Sequence, residues 1–337
     1  MRQLFCYALL VSALASLAAS CGRTARWRVS EGSVWNTTFR ITYEAPADLA
    51  DSIAAVMREV ELSLSPFNPY SRISRINRGE SSRADSLILR VFDVSRRVCE
   101  VSGGRFDPTV SPLVNLWGFG YGGKAVAGGV PASARIDSAR ALVGFACCSV
   151  DSALNIVKKS PGTTFNFSAV TKGFGCDRVG EMLRRNGAEN YMVEIGGELA
   201  LAGRNPRGDK WHIQIDAPVT GRAAVHTPLL TIAVTDCGVA SSGNYRNYRT
   251  DSAGNILGHT IDPVSGYPFQ GDVVAATVAA ADCATADALA TACMASASAD
   301  AAAAVEAVPG ASALLVVAAG DSLSLRRVGG FPLPVAE

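Results

Sequence analysis

With 337 residues, the chain has ample length for a substantial core in one large or two moderate domains. Its 31 Lys and Arg stand against 30 Asp and Glu, a formal charge of +1, so the basic footprint of a nucleic-acid-binding protein is excluded. Of nine cysteines, Cys6 lies in the leader described next, and the seven beyond Cys21 form no C-x-x-C pair. That odd count fits neither a disulfide framework nor a zinc site, and most of the seven read as buried apolar fillers.

Residues 1–20 read as a secretory signal: Met1-Arg2, an apolar run from Leu4 to Leu17, then Ala18-Ala19-Ser20 before Cys21. A cut directly before a cysteine resembles a bacterial lipoprotein signal, with Cys21 becoming the lipidated N-terminus. An ordinary signal followed by an incidental cysteine is the alternative. No later stretch is long and apolar enough to span a membrane, since the Ala-rich run from Ala284 to Val308 carries Asp287, Asp300 and Glu306.

Within Trp27–Tyr43, the alternation of Thr38 to Tyr43 predicts a strand, preceded by Trp35-Asn36-Thr37. Leu49, Ile53, Val56 and Val60 at helical spacing predict an amphipathic helix after Pro46 and Asp48. Ser65 to Asn77, with two prolines, reads as a loop whose aromatic Phe67 either stacks on a planar ligand or pins the loop to the core. Leu87 to Val101 predicts a second helix stopped by Ser102-Gly103-Gly104. Arg105 to Gly120 mixes aromatics, glycines and prolines and reads as a long ordered loop, a kind that is usually functional. Gly122 to Ala132 is expected to be a mobile excursion, Ser133 to Val143 a short helix, and Ser149 to Val157 a strand pair or one bent strand.

Phe165-Asn166-Phe167 reads as a short strand, with Ser168 capping a helix to about Arg185. A strand running straight into a helix leaves free amides that suit a phosphate. Lys172 near that end opposes the helix dipole, and either a phosphate compensates it or it is solvated. Tyr191 to Ile195, the Gly196-Gly197 turn and Glu198 to Ala202 predict a hairpin. Trp211 to Ile215, Leu230 to Val234 and Val273 to Ala281 read as strands, and Val239 to Tyr248 as a polar loop. From Thr285, a plausible N-cap, one or two helices broken at Pro309-Gly310 are expected, then a hairpin from Ala313 to Val328 around Gly320-Asp321. The irregular alternation of strands and helices, with no repeat, gives an α+β class.

Asp287 and Thr291 are spaced i, i+4 on one helical face. A carboxylate and a hydroxyl so placed offer hard oxygens to Mg²⁺; the alternative is an acid that merely complements the helix dipole. Of the three histidines, His212 sits on a regular strand and His226 in a polar turn, which leaves His259, beside Thr260-Ile261-Asp262-Pro263, best placed for chemistry.

Six segments together resemble the ApbE family of FAD:protein FMN transferases: Arg105–Gly120, Ser168–Val179, Val193–Glu198 (Val-Glu-Ile-Gly-Gly-Glu), Ser242–Tyr248, His259–Gly266 and Thr285–Thr291 (Thr-Ala-Asp-Ala-Leu-Ala-Thr). The resemblance covers essentially everything after the signal, which makes residues 21–337 one transferase domain. It implies an α+β fold with FAD in a cleft between lobes and Mg²⁺ beside its pyrophosphate. The reaction implied is transfer of FMN from FAD to a Thr or Ser hydroxyl of a target redox protein, releasing AMP. Carried over by position, Asp287, Thr291 and the carbonyl of Ala169 match metal ligands. Trp35, Phe67, Arg105, Phe106, Asp107, Asn166, Lys172 and Ile261 match flavin-nucleotide contacts, and His259 matches the base that deprotonates the acceptor hydroxyl. The chain departs from the family at Asn166, where many members carry Asp, and at Ala290, where some carry a second acidic ligand. Phe67 replaces a common Tyr, and Trp35-Asn36 a common Met-Gly. The resemblance further implies a lipid-anchored enzyme of the bacterial envelope, on the periplasmic side of the inner membrane. The same residues could serve a Mg²⁺-dependent FAD pyrophosphatase with water as acceptor, or a flavin-binding lipoprotein without turnover.

Overall fold

A computed structural model describes residues 24–120, 130–218, 227–243, 248–250, 256–258, 260–320 and 322–335. The chain opens with β1 (Arg26–Val34) and β2 (Thr37–Ala45), followed by helices α1 (Ala50–Leu64), α2 (Arg72–Asn77), α3 (Ser86–Val101), α4 (Ser111–Leu116) and α5 (Ser133–Arg140). A short hairpin, β3 (Ser149–Val150) and β4 (Ile156–Val157), precedes the long helix α6 (Ser168–Arg185). Strands β5 (Tyr191–Ile195), β6 (Glu198–Ala202), β7 (Trp211–Asp216), β8 (Pro228–Val234), β9 (Cys237–Gly243), β10 (Tyr248–Thr250), β11 (Ile256–Gly258) and β12 (Val273–Ala280) come next. Helices α7 (Cys283–Met294) and α8 (Ser298–Glu306) and the hairpin β13 (Ser312–Ala319) and β14 (Ser322–Val328) complete the order.

The eight-stranded sheet runs β1-β2-β5-β6-β9-β12-β13-β14, antiparallel at every pairing. One face is covered by α6 and α7, with α1 beside α6 and α3 and α8 beside α7. The other face is covered in its middle by the β7–β8 hairpin, through Leu199, Leu201, Trp211, Ile213, Ile232 and Leu314. β6 is therefore buried at every residue, both faces being occupied. This is the expected α+β class.

The amphipathic pattern of α1 buries Ile53, Val56, Met57, Val60 and Leu64, as its spacing predicts. Helix α3 is capped by Asp85, which accepts the amides of Leu87 and Ile88 at 3.1 and 2.9 Å. α7 is buried along its whole length except at Thr291, because alanine at alternate positions from 284 to 292 lets it lie close to α6 and the sheet.

Several local expectations are corrected. The loop from Ser65 to Asn77 contains α2, because Ser71 Oγ accepts the Ser74 amide at 3.1 Å and Ile73 and Ile76 bury on the core. The Arg105–Gly120 run contains α4, with Pro112 in its first turn, where a missing N–H costs nothing. Phe165–Phe167 is not a strand. Its polar backbone is satisfied by the Asn77 side chain, at 2.7 and 2.8 Å, and by the Pro108 carbonyl. β9 replaces part of the loop expected over Val239–Tyr248; Val239 and Ala240 are buried, and Ser241 bonds Thr277 of β12 at 2.8 Å, so polar residues pair across the ladder. The Ala-rich segment is two helices, interrupted at Ala295–Ala297 and not at Pro309-Gly310, which lies beyond the second. Residues 121–129, most of the expected excursion, are outside the described residues.

Among the described residues seven cysteines are free; Cys99, Cys148, Cys176, Cys283 and Cys293 are buried, Cys147 is exposed and Cys237 half-buried. Among the described residues no helix is long and apolar enough to cross a membrane.

Gly238 lies where β9 meets the start of α7: a Cβ there would stand 2.2 Å from the Cys283 nitrogen. Gly238→Ala should therefore destabilise the fold by about 1–3 kcal/mol, as overpacking against backbone does. An unchanged urea midpoint would refute this close approach.

Candidate functional site

The site is built where the N-terminal half of α6 faces the middle of α7. Asp287 is buried, and its Oδ2 accepts the Gly173 amide at 3.0 Å. In a regular helix that amide is the partner of the Ala169 carbonyl, so the two oxygens converge on one N–H. The approach needs glycine: a Cβ at Gly173 would sit 2.3 Å from the Cys283 carbonyl oxygen and 2.8 Å from Asp287 Cβ. One turn further along α7, Thr291 is half-buried, the one opening in an otherwise covered helix.

Lys172, next to Gly173, is ion-paired to Glu198, the first residue of β6. Glu198 is buried, and its Oε2 has no hydrogen-bond partner. Three charges thus share a low-dielectric pocket. Desolvation works against the Lys172 charge, but Asp287 and Glu198 outweigh it and hold the ammonium well above its usual value. Burial raises the Glu198 carboxyl, with Asp287 adding to the rise and Lys172 opposing it. Burial likewise raises Asp287, against Lys172 and the Gly173 amide. One cation against two carboxylates leaves a pocket that favours a proton or a further cation.

The remaining predicted residues fall around this centre in different ways. Trp35 and Asn36 form the two-residue turn between β1 and β2, with φ of 48° and 62°. Positive φ at both positions is what such a turn requires, and it is uncommon for a residue as bulky as Trp. Its ring lies against α6, and a Cβ at Gly175 would come within 2.4 Å of it. The indole Nε1 is buried without a partner. Arg105 pairs with Asp262 at 2.8 Å and lies over the Phe269 ring at 5.5 Å, which ties the segment after α3 to the segment after β11. Burial opposes ionisation of Asp262, but hydrogen bonds from Ser265 and Val264 and the Arg105 guanidinium prevail, and its carboxyl stays below its ordinary value. Ile261 is buried with Leu113, Trp117, Ile136 and Val143.

Phe106 is buried in the main core, and both oxygens of Asp107 are taken by Thr109 and the Phe145 amide. Their side chains are committed to the fold beside Arg105. Phe67 is exposed on the turn between α1 and α2. Asn166, not Ser168, organises the start of α6: its Oδ1 accepts the Ser168 amide at 2.9 Å, while Ser168 makes no side-chain cap. The Val170 and Thr171 amides bond the Phe167 carbonyl at 2.9 Å, so this helix end offers fewer free donors than the sequence suggests. At the second helix, Asp282 is the cap, accepting the Thr285 amide at 2.8 Å; the Thr285 hydroxyl is buried without a partner. Cys21 and His259 lie outside the described residues.

Sequence reasoning gave no role to Glu198 or Gly173. Glu198 was visible only as an acid following the Gly196-Gly197 turn, and nothing local tells that its strand is covered on both faces. A hollow of about 360 Å³ also lies beside α6, lined by Arg90, Asp177, Glu181, Arg184 and Asp282, among others; no predicted site residue lines it. Of its cations, Arg90 pairs with Glu181 and Arg97 with Asp93, while Arg184 lies over the Tyr191 ring.

The model of the ApbE family matches residues 35–315, which span the Trp35 turn, α6, β6 and α7. An FAD:protein FMN transferase of Vibrio cholerae is 35% identical over 285 residues, covering 81% of this chain and 83% of the relative. One of Haemophilus influenzae is 32% identical over 293 residues, covering 82% and 83%. The solved structure of the flavin transferase ApbE from Vibrio cholerae superposes with a TM-score of 0.79 at 32% identity, covering 91% of this chain and 98% of that one. The apo flavinyl transferase ApbE of Pseudomonas stutzeri gives a TM-score of 0.80 at 29% identity, covering 91% and 96%. With its sequence matched from the first hairpin to β13 and its fold shared at that level, the chain belongs to the ApbE family.

Proposed function

We propose that this chain transfers FMN from FAD to a hydroxyl of a Thr or Ser in an exported redox protein, with AMP as the leaving group. The observation that carries the reading is the cluster of half-buried Lys172 with the buried Glu198 and Asp287, where α6, β6 and α7 meet, within the span matched by the family. Relatives named FAD:protein FMN transferase support the overall reaction.

The residues fit a divalent cation. Two buried carboxylates face a single ammonium, and Glu198 Oε2 lacks a partner, so hard oxygen and uncompensated negative charge are both available. Among the described residues no three His, Cys, Asp or Glu side chains cluster. Asp287, Thr291 and the Ala169 carbonyl would therefore hold Mg²⁺ together with substrate phosphate and water, the usual way this ion is bound. When bound, Mg²⁺ supplies Lewis-acid neutralisation of the diphosphate.

The chain's own residues do the rest. Lys172 stays cationic and can bind a phosphate oxygen, while Glu198 keeps its Nζ from swinging away. Arg105, fixed by Asp262 and Phe269, and Trp35, on its tight turn, would flank the nucleotide; Phe67, Asn166, Ile261 and the segment of Phe106 and Asp107 complete that wall. The acceptor oxygen attacks the phosphorus of the FMN half, the bond to the AMP oxygen breaks, and His259 accepts the hydroxyl proton. In-line positioning and charge neutralisation carry most of such a reaction. The signal-like residues 1–20 and Cys21 support export and lipid anchoring at the bacterial envelope, for which we take the periplasmic side of the inner membrane.

Incubation with FAD, Mg²⁺ and a Thr-containing acceptor should leave flavin fluorescence on the denatured acceptor. Free FMN and AMP without labelled acceptor would indicate hydrolysis, and no AMP at all a binding protein. His259→Ala should lower transfer roughly 10²–10⁴-fold while FAD still binds. Chelation of the divalent cation, or Asp287→Asn, should abolish transfer. Because Lys172 is held above its ordinary value, its charge is full well beyond neutral pH. Ionisation of Glu198, whose carboxyl burial pushes up to about 8, adds negative charge beside it, so FAD affinity, read by flavin fluorescence quenching, should weaken from about pH 7 to about pH 9. Lys172→Met should weaken that affinity by about tenfold or more, as loss of a charged hydrogen bond of about 1.5–3 kcal/mol would.

A further inference from the structure

Helices α6 and α7 are joined by two contacts of one kind, a carboxylate on one helix and amides on the other. Asp287 of α7 takes the Gly173 amide of α6 at 3.0 Å. Asp177 of α6 takes the Cys283 and Ala284 amides of α7, at 2.9 and 2.8 Å. Residue 173 faces 287 and residue 177 faces 283, so the helices run antiparallel and the contacts are one turn apart on facing stripes.

Helix stability alone does not call for Asp177. Asp282 already caps α7 by accepting the Thr285 amide. A second acid at the same helix end is costly: burial pushes the Asp177 carboxyl up to about 7, and Asp282 adds to the rise. What Asp177 adds is attachment of the first turn of α7 to a fixed point on α6. The glycines leave that attachment little slack. A Cβ at Gly173 or Gly238 would strike the Cys283 backbone from two sides, at 2.3 and 2.2 Å. In an α-helix a slip of one residue moves a side chain by about 1.5 Å along the axis and turns it by about 100°. A small slip would therefore carry Asp287 away from Gly173 and Lys172.

We propose that Asp177 is a positioning residue for the cation site, setting the axial register of α7 so that the Asp287 carboxylate meets the Ala169–Gly173 turn of α6. The inference rests on the reading of Asp287 as a metal ligand. Outer partners that orient a ligand typically alter metal affinity by about 10–100-fold.

The test is Mn²⁺ binding to the intact chain, followed by electron paramagnetic resonance of the free ion; Mn²⁺ takes the same oxygen ligands as Mg²⁺. Asp177→Asn should bind Mn²⁺ at least about tenfold more weakly than the wild type, with metal-free FAD affinity unchanged. Asp282→Ala, which loses the cap, should melt at lower temperature with Mn²⁺ affinity unchanged. Wild-type Mn²⁺ affinity in Asp177→Asn, or equal weakening in Asp282→Ala, overturns the positioning role. Should Asp177→Asn not fold, Asp177→Glu is read by the same criteria, since it keeps the charge and displaces it by one methylene. Wild-type affinity in Asp287→Asn overturns instead the metal-ligand reading beneath the inference.

Discussion

A carboxylate buried between two helices governs this structure. An isolated charge in a protein interior is strongly unfavourable unless it is paired and hydrogen-bonded. Asp287 meets that condition with the Gly173 amide and the nearby Lys172 ammonium. The requirement propagates outward. It needs glycine on α6 for the approach and small residues along α7. It also needs a sheet whose central strands are covered on both sides, so that β6 can present Glu198 from below. Replacing the group by an apolar side chain would ease the packing and leave the pocket without its chemistry. That is the pattern expected where local rules are broken for function.

The charge balance has a direction. Surface pairs such as Arg40–Glu31 or Arg78–Glu80 are exposed and contribute little. The Lys172 pocket is different, because both of its carboxylates are buried and negative charge is in excess. Such a pocket is unfavourable empty and becomes more favourable on receiving positive charge. Arg105 and Asp262 perform a separate task at its margin, where their pairing joins chain segments far apart in sequence. The two ion pairs thus differ in kind: one joins distant chain segments, the other sits among buried carboxylates.

Much of the fold was legible in the sequence, and the failures have physical causes. Alternation marked β2, β5, β7 and β8, and helical spacing marked α1 and α3, because those elements bury one face. β9 was hidden, since a central strand with Ser241 and Gly238 depends on cross-strand partners and close packing that no local pattern records. Thr285 and Asp282 are both good caps, and only the geometry of the turn after β12 selects the acid. In the site, Asp287 and Thr291 could be paired by spacing, and Lys172 was conspicuous at a helix start. Glu198 could not be placed, because its significance lies in strand order. The side chains of Phe106 and Asp107, adjacent to Arg105 in sequence, turn into the core instead, a choice made by the phenylalanine cluster around Phe145 and Phe165.

The alanines of α7 carry one more consequence. Alanine has no side-chain rotamers to lose on folding and none to exchange afterwards. A contact made of such residues has nothing to repack with, so α7 stands off α6 and the sheet at a distance set by methyl groups and backbone, and the depth at which Asp287 meets Gly173 is fixed by the fold itself.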